Sequence, residues 1–466
     1  MTNESIDYHF IGIGGAGMNS LAQIMVERGF VVSGSDRAFD REVSLDLAGK
    51  LTERGIILWA QDGSIFNEGK VRQVVVSTSI ENDNPDLKRA RQLGLPILHR
   101  AELLAQVSNA SRSIVVAGTS GKTTTAGMIG YVLHRLEMNP TVVNGGVIKN
   151  WVEAGLIGNA ISSPHSNLTV IEADESDGSI SLYRPSIGVV INIALDHKPL
   201  SELEGLFSSF AQAVKEALVL NLDCSRTSQL RGTAKIITFG IESAACLSIK
   251  QLELSPTGST FALEGTSYHL PLPGQHNVYN ALAAVAALRA IGLPHVKISP
   301  ALAEFKGIKR RLELIGKKNG VKVFDDYAHN PDKIRASLKT LKPFFRRLIV
   351  IFQPHGFAPT RLLKEGLIYT FETCLDKDDL LYIPDIYYAG GTAARDISSA
   401  DLIYPLKEKG FSAYYYPQRE DIVKEVKTRV QSGDAVIVMG ARDGTLSNLC
   451  HRLLSEKGNP SVTTQN

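Results

Sequence analysis

Short, uninterrupted apolar runs alternate with stretches of helical period along most of the chain, and nearly every run ends in glycine, hydroxyl or acidic residues. Ile114-Val115-Val116-Ala117 passes into Gly118-Thr119-Ser120-Gly121-Lys122-Thr123-Thr124, after which Ile129, Val132, Leu133 and Leu136 recur one helical turn apart. Phe10-Ile11 runs into Gly12-Ile13-Gly14-Gly15-Ala16-Gly17, followed by Leu21, Ile24 and Met25. Comparable runs begin at Val31, Val74, Leu168, Ile187, Val321, Leu348, Leu380 and Ala435. Runs of this length without polar alternation are strands buried on both faces, and strands that alternate with helices build parallel sheets. Only Cys246 to Pro273 alternates apolar with polar residues, around turns at Pro256-Thr257-Gly258 and Gly265-Thr266; it predicts antiparallel hairpins.

The expected class is therefore α/β. At 466 residues the chain exceeds one ordinary core, and three domains are expected. The boundaries fall at 1–109, a Rossmann-like domain; 110–311, a P-loop ATPase-type parallel sheet with the small antiparallel portion; and 312–466, a second Rossmann-like domain. Hydrophobic residues make up 44% and charged residues 21%, a globular balance. A net charge of +2 gives no electrostatic case for nucleic acid as the main partner. Cys224, Cys246, Cys374 and Cys450 are too scattered for a disulfide framework or a zinc knuckle. No signal-like segment and no run of about 18 apolar residues occurs, so a cytoplasmic protein without membrane insertion is expected, as monomer or homodimer.

The glycine turns carry the chemistry. Gly118 to Thr123 reads as a phosphate cradle: backbone N–H groups at a helix start face an anion, Lys122 adds a mobile charge, and the Thr123 hydroxyl is a magnesium ligand. Its glycine spacing is shorter than the common GxxxxGK[ST] pattern. Leu168 to Ile171 ends in Glu172-Ala173-Asp174-Glu175-Ser176-Asp177, where clustered carboxylates beside a phosphate cradle call for a divalent cation, with Glu172 the foremost ligand. His197, at the end of the next strand, is a second metal or phosphate contact. Asn277 is expected to cap a helix with Asn280 one turn on, both able to read a base edge. In the first domain Gly14, Gly15, Ala16 and Gly17, with Ser35, Asp36 and Ser77-Thr78-Ser79, converge on one crevice beyond the strand ends. That fingerprint alone also allows a nicotinamide-dependent oxidoreductase, which would leave the phosphate cradle unused. In the last domain, polar residues crowd the strand ends at Asp325 to Asn330, Gln353 to His355, Asp385 and Met439 to Gly444.

Taken together, these segments resemble the Mur ligases, ATP-dependent amide-forming enzymes of peptidoglycan precursor synthesis, over nearly the whole chain. The carrying segments are Gly12 to Met18, Gly34-Ser35-Asp36, Gly118 to Thr125, Asn144-Gly145-Gly146, Glu172 to Asp177, Asp196-His197, His276 to Leu282, Arg310-Arg311, Asp325 to His329 and Gln353-Pro354-His355. The resemblance implies that the first glycine turn holds the diphosphate of UDP-N-acetylmuramate. It implies that Gly118 to Thr124 hold ATP phosphates and that Thr123, Glu172 and His197 hold magnesium, with Lys122, Glu172 and His197 catalytic. Asn277 and Asn280 would contact adenine, Arg311 and Asp326 the nucleotide, and Tyr327, His329, His355 and Arg361 the amino acid. The implied chemistry is attack of the muramyl carboxylate on the γ-phosphate, then attack of an amine on the acyl phosphate. The likeness is greatest to the branch that adds L-alanine, yet Gly356 and Pro359 stand where that branch has arginines that grip the acceptor's carboxylate. Ser120, Asn330 and Lys198-Pro199 are further departures. A recycled tripeptide or another acceptor thus stays open, as does a paralogue that only senses UDP-sugar.

Overall fold

The computed structural model describes residues 5–68, 70–164, 166–195, 198–388, 394–441 and 443–455. His197, expected at the metal, lies outside the described residues, as does Asp196. The chain divides into two compact units: one covers most of the first 308 residues, the other Lys309 onward with two short stretches, Leu254–Ser259 and Leu272–Gln275.

The first unit holds two sheets. One has five parallel strands in the spatial order Ile57–Trp59, Val32–Ser35, Ile6–Ile11, Val71–Val76, Ile97–His99. The chain reverses its direction of winding at Ile6–Ile11, so its carboxyl end is the switch point where such sheets bind ligands. The other has eight strands, ordered Leu247–Ser248, Lys235–Gly240, Ala217–Asn221, Ile187–Val190, Arg112–Ala117, Leu168–Glu172, Thr141–Val143, Ala160–Ile161. Arg112–Ala117 is flanked on both sides by parallel strands, which explains why Ile114, Val115 and Val116 are all fully buried. Leu21, Ile24 and Met25 of the first glycine-turn helix share one continuous apolar cluster with Val115, Ala160 and Ile171 of the second sheet and with Tyr183. That shared core is why the two sheets form one compact unit.

Two expectations shift in detail. Leu247–Ser248 extends the eight-stranded sheet in parallel, pairing with Phe239 and Gly240, so the hairpin region begins only at Lys250. The separate three-stranded sheet follows as Lys250–Ser255, Gly258–Leu263 and Thr266–Leu270. The run from Val74 to Ile80 leaves its strand at Val76, because the Ile80 N–H turns back to the Ser77 carbonyl. The helix Arg100–Asn109 that leads into the second sheet is started by a capping box between His99 and Glu102.

The second unit is a six-stranded sheet ordered Glu313–Lys318, Val321–Asp326, Asp434–Met439, Arg347–Phe352, Leu380–Ile383, Ser412–Tyr415. All its pairings are parallel except that of Glu313–Lys318 with Val321–Asp326. Pro331 sits in the first turn of the helix Pro331–Leu341, as its fixed φ favours, and the Asn330 side chain caps it by accepting from Lys333 N.

Beneath the first glycine turn lies a buried polar knot. His9 Nδ1 bonds Ser33 Oγ at 2.8 Å, and Asp86 accepts from Ser35 Oγ (2.5 Å) and Gly63 N (2.7 Å), with His9 and Asp86 fully buried. Removing the acceptor strands two buried donors, so Asp86→Ala is expected to destabilise the protein by about 3 kcal/mol. Urea unfolding measures this, and a loss below about 1 kcal/mol would show that the knot is not structural.

Candidate active site

The helix Lys122–Arg135 starts from Gly121, whose φ of +90° places it in the left-handed region, and Gly118 has φ +139°. Side chains rarely adopt either conformation, and a Cβ on Gly121 would also collide with Asn280 Oδ1. Both glycines are therefore required by the turn. Lys122 folds back over it: Nζ donates to the Gly118 carbonyl at 2.7 Å and to Glu175 Oε2 at 2.6 Å. Thr123 Oγ1 donates to Glu172 Oε2 at 2.7 Å. Strand order brings these carboxylates in, because Leu168–Glu172 lies beside Arg112–Ala117.

Asn192 braces the turn from the other neighbouring strand. Its Oδ1 accepts from Thr119 Oγ1 (2.8 Å) and Ser120 N (2.9 Å), and its Nδ2 donates to Ser120 O (3.0 Å). Thr119 in turn accepts from Ala194 N at 3.1 Å. Thr124 is buried one residue further along the helix. The helix Gln275–Ala290 starts three residues earlier than the asparagine cap implied, so Asn277 lies inside its first turn. Asn277 and Asn280 are both buried, joined by a 3.2 Å bond from Asn280 Nδ2 to Asn277 Oδ1. Burial pushes the neighbouring His276 down to about 4, which keeps its ring neutral at neutral pH. Tyr279 on the same helix donates to Asp223 Oδ2 at 2.8 Å.

Asn192 and Asp223 received no role from the sequence, and Glu175 was placed only in the acidic cluster, not as the partner of Lys122. A glutamate in a run of acids, and an asparagine closing an apolar run, were the available signals. Burial works against charge on Asp174, but bonds from Ser176 N (3.0 Å) and Oγ (2.7 Å), with the charges of Lys122 and Arg100, hold its carboxyl below the usual range. Glu175→Gln replaces a buried ion pair by a neutral bond and is expected to cost about 2 kcal/mol of stability. It is also expected to alter the KM for ATP, because Lys122 no longer leaves an ion pair to meet phosphate. An unchanged melting temperature together with an unchanged KM would contradict this coupling.

At the first glycine turn, Asp36 accepts from Gly14 N and Ala38 N, both at 2.8 Å, tying the turn to the end of its neighbouring strand. Gly15 caps the helix Ala16–Glu27 without a side-chain bond. Met18 N and Asn19 N turn back to Gly15 O, which leaves the Ala16 and Gly17 N–H groups at the helix mouth. The turn holding Ser77, Thr78 and Ser79 is adjacent, since Ile80 packs onto Gly12. Ser35, by contrast, is fully buried, with its hydroxyl committed to Asp86. Asn159 links this site to the central sheet: Nδ2 donates to Ala16 O (3.1 Å) and Asn19 Oδ1 (2.6 Å), and its carbonyl accepts from Asn144 N (2.9 Å). Gly145, next along, lies so close to Glu172 that a Cβ there would overlap Oε1.

In the second unit, burial pushes the Asp326 carboxyl up, although Ser337 Oγ and Leu312 N donate to it. Arg310 binds Asp325 Oδ1 (3.2 Å) and the carbonyls of Gly440 (2.7 Å) and Asp443 (2.9 Å). Arg311 lies over the Tyr327 ring, 5.1 Å from its centroid. Tyr327, His329 and His355 form a chain of edge-to-face rings, 5.7 and 5.3 Å between centroids. Gly356, with φ +71°, caps the helix Phe357–Cys374. Arg361 is bonded to Asp396 and to the Ala394 carbonyl, and Arg395 lies over the rings of Phe357 and Tyr388.

Two glycine turns on parallel sheets, one of them a GKT turn paired with carboxylates, define a nucleotide-handling α/β protein. Three family models cover the chain in succession: Mur ligase family, catalytic domain, over residues 7–112; Mur ligase middle domain over 116–288; and Mur ligase, glutamate ligase domain, over 310–442. The UDP-N-acetylmuramate--L-alanine ligase of Thermosynechococcus vestitus is 34% identical over 98% of this chain and 97% of its own length. The solved UDP-N-acetylmuramate-alanine ligase of Thermotoga maritima superposes with a TM-score of 0.78 at 27% identity, covering 96% of this chain and 98% of that one. A murein peptide ligase of Psychrobacter arcticus, 23% identical, shares the fold with a TM-score of 0.67 over 97% of this chain and 98% of its own. The chain belongs to the Mur ligase family, an ATP-dependent amide ligase family. Among the described residues, no helix is long and apolar enough to cross a membrane.

Proposed function

We propose that this protein joins L-alanine to the carboxylate of UDP-N-acetylmuramate at the expense of ATP, as a cytoplasmic step of peptidoglycan precursor synthesis. The observation that carries this reading is Lys122, bonded to Gly118 O and Glu175 over a glycine turn and flanked by the Thr123–Glu172 pair. The similarity to alanine ligases along nearly the full length supplies the substrates. In this reading residues 1–109 bind the UDP-sugar, 110–311 bind ATP and 312–466 bind the amino acid.

Lys122 and the N–H groups of the turn stabilise charge on the transferring phosphoryl group as a muramyl carboxylate oxygen attacks and ADP leaves. The amine of alanine then attacks the acyl carbon, and inorganic phosphate departs. Asn277 and Asn280 present amide groups to the adenine edge, and neutral His276 adds no competing charge. Arg311, Asp326 and the ring chain Tyr327–His329–His355 serve the nucleotide and the acceptor. Thr123 Oγ1 and Glu172 fit a magnesium ion, because Mg²⁺ takes few protein oxygens and completes its shell with phosphate and water. Among the described residues, no group of three or more acidic, histidine or cysteine side chains forms a fuller cage. When bound, the ion supplies charge neutralisation at the phosphates.

The deciding experiment incubates the full chain with ATP, magnesium and UDP-N-acetylmuramate, adding single amino acids or the recycled tripeptide, with phosphate release and product mass as readouts. Alanine-dependent phosphate and the alanyl product are expected. A product with tripeptide alone reassigns the acceptor, in keeping with Gly356 and Pro359 at the acceptor helix. Absence of acceptor-dependent phosphate with every candidate overturns the ligase reading.

A further inference from the structure

The helix Gln275–Ala290, which carries Asn277 and Asn280, is held on two sides. On one side Asn280 packs directly against Gly121 of the phosphate turn. On the other, the Tyr279 hydroxyl donates to Asp223 Oδ2 at 2.8 Å. Asp223 follows the strand Ala217–Asn221 and also accepts from Ile241 N (2.6 Å), Glu242 N (3.0 Å) and Ser243 N (2.8 Å). Burial works against its charge, yet these donors hold the carboxyl down at about 2. Its own N–H donates to Asn221 Oδ1 at 3.0 Å, and Asn221 Nδ2 donates to Ile191 O at 3.0 Å, beside the Asn192 that braces the phosphate turn. The Tyr279 bond thus ends on a frame continuous with that turn.

A carboxylate that accepts three backbone N–H groups is fixed in direction, and a hydroxyl bonded to its charge is held firmly. Tyr279 immediately precedes Asn280, and Asn280 is joined to Asn277 at 3.2 Å, so a shift of the helix moves both amides together. We propose that Asp223, acting through Tyr279, is a positioning residue that sets the Asn277–Asn280 amide pair against the nucleotide base, so that ATP affinity and the choice of adenine over guanine depend on the Asp223–Tyr279 bond. This rests on the reading that the amide pair meets the adenine edge. Lys122 keeps its own supports in Gly118 O and Glu175, so loss of the bond falls on nucleotide binding and not on phosphoryl transfer.

The test uses full-length Tyr279→Phe, Asp223→Ala, the double variant and Asn277→Ala, with melting temperatures to establish folding. In Tyr279→Phe the KM for ATP is expected to rise about tenfold, the lower end of what a hydrogen bond to a charged group is worth. The kcat and the KM for UDP-N-acetylmuramate are expected to stay within about threefold of the parent. The ratio of kcat/KM for ATP to that for GTP is expected to fall, which a bond serving only stability would not cause. Adding Tyr279→Phe to Asp223→Ala is expected to change the ATP KM by less than about twofold, because the two residues act as one unit. An unchanged ATP KM and ATP/GTP ratio in Tyr279→Phe overturn the proposal, as do a loss carried by kcat or fully additive effects in the double variant. Should Asp223→Ala not fold, Tyr279→Phe decides alone. Asn277→Ala separates the two readings. If it leaves ATP KM and the ATP/GTP ratio unchanged, the adenine assignment of the amide pair fails and the proposal with it. If it alters them while Tyr279→Phe does not, only the role of Asp223 and Tyr279 falls.

Discussion

Lys122→Ala is expected to lose about a thousandfold or more in kcat while binding UDP-N-acetylmuramate almost as the parent does. The ammonium is held at the lip of the phosphate turn by Gly118 O and Glu175, 2.7 and 2.6 Å away. In that place it can meet charge that develops as the γ-phosphoryl group transfers, and such preorganised charge is the largest contribution in phosphoryl transfer. The first glycine turn, the proposed UDP-sugar site, has its own backbone donors and its own support from Asp36, so the affinity expected there does not draw on Lys122. Rapid-quench turnover and calorimetry on the same sample check both halves. Loss of UDP-sugar binding in a folded variant would refute separate sites, and a kcat within tenfold of the parent would refute the role of Lys122.

Gly145→Ala is the second large effect, and it acts without touching a reacting group. The added methyl would overlap Glu172 Oε1, so the carboxylate must swing away and surrender its 2.7 Å bond with Thr123 Oγ1. Gly145 is exposed and Glu172 only half-buried, so the displaced carboxylate re-enters water at little cost to the fold. The expected result is a fall in kcat of about 30- to 100-fold, from misplacing one ligand-bearing group, and a higher magnesium requirement. The melting temperature should stay nearly that of the parent. Magnesium titration of initial rates, alongside thermal unfolding, reads both. Parental kcat and magnesium dependence would show that Glu172 does not act from this position.

Much of the site was legible because it is local. Glycines at positive φ, a lysine and a threonine at a helix start, and acids closing an apolar strand are all encoded within a few residues. The misreadings have local causes as well. Asn277 looked like a cap, but the helix begins at Gln275, which turns the asparagine inward toward Asn280. Ser35 looked like a ligand contact because it precedes Asp36, yet strand alternation sends it into the core, where Asp86 takes its hydroxyl. Cys246 onward looked like hairpin, but Leu247–Ser248 found a free parallel edge.

By itself the sequence determined the α/β class, most of the strands, the two glycine turns and the family resemblance, since each depends on backbone preferences and periodicity within a short window. Tertiary structure alone decided which distant groups meet. Lys122 finds Glu175 across 53 residues, Thr123 finds Glu172 across 49, and Ser120 finds Asn192 across 72. Those meetings follow from strand order, which sets Arg112–Ala117 between Leu168–Glu172 and Ile187–Val190. Arg100 and Asn159 reach the first glycine turn because the two sheets bury one common core. Periodicity reports which face of a strand or helix is buried and is silent on what lies against that face, which is why these partners emerged only in the folded chain.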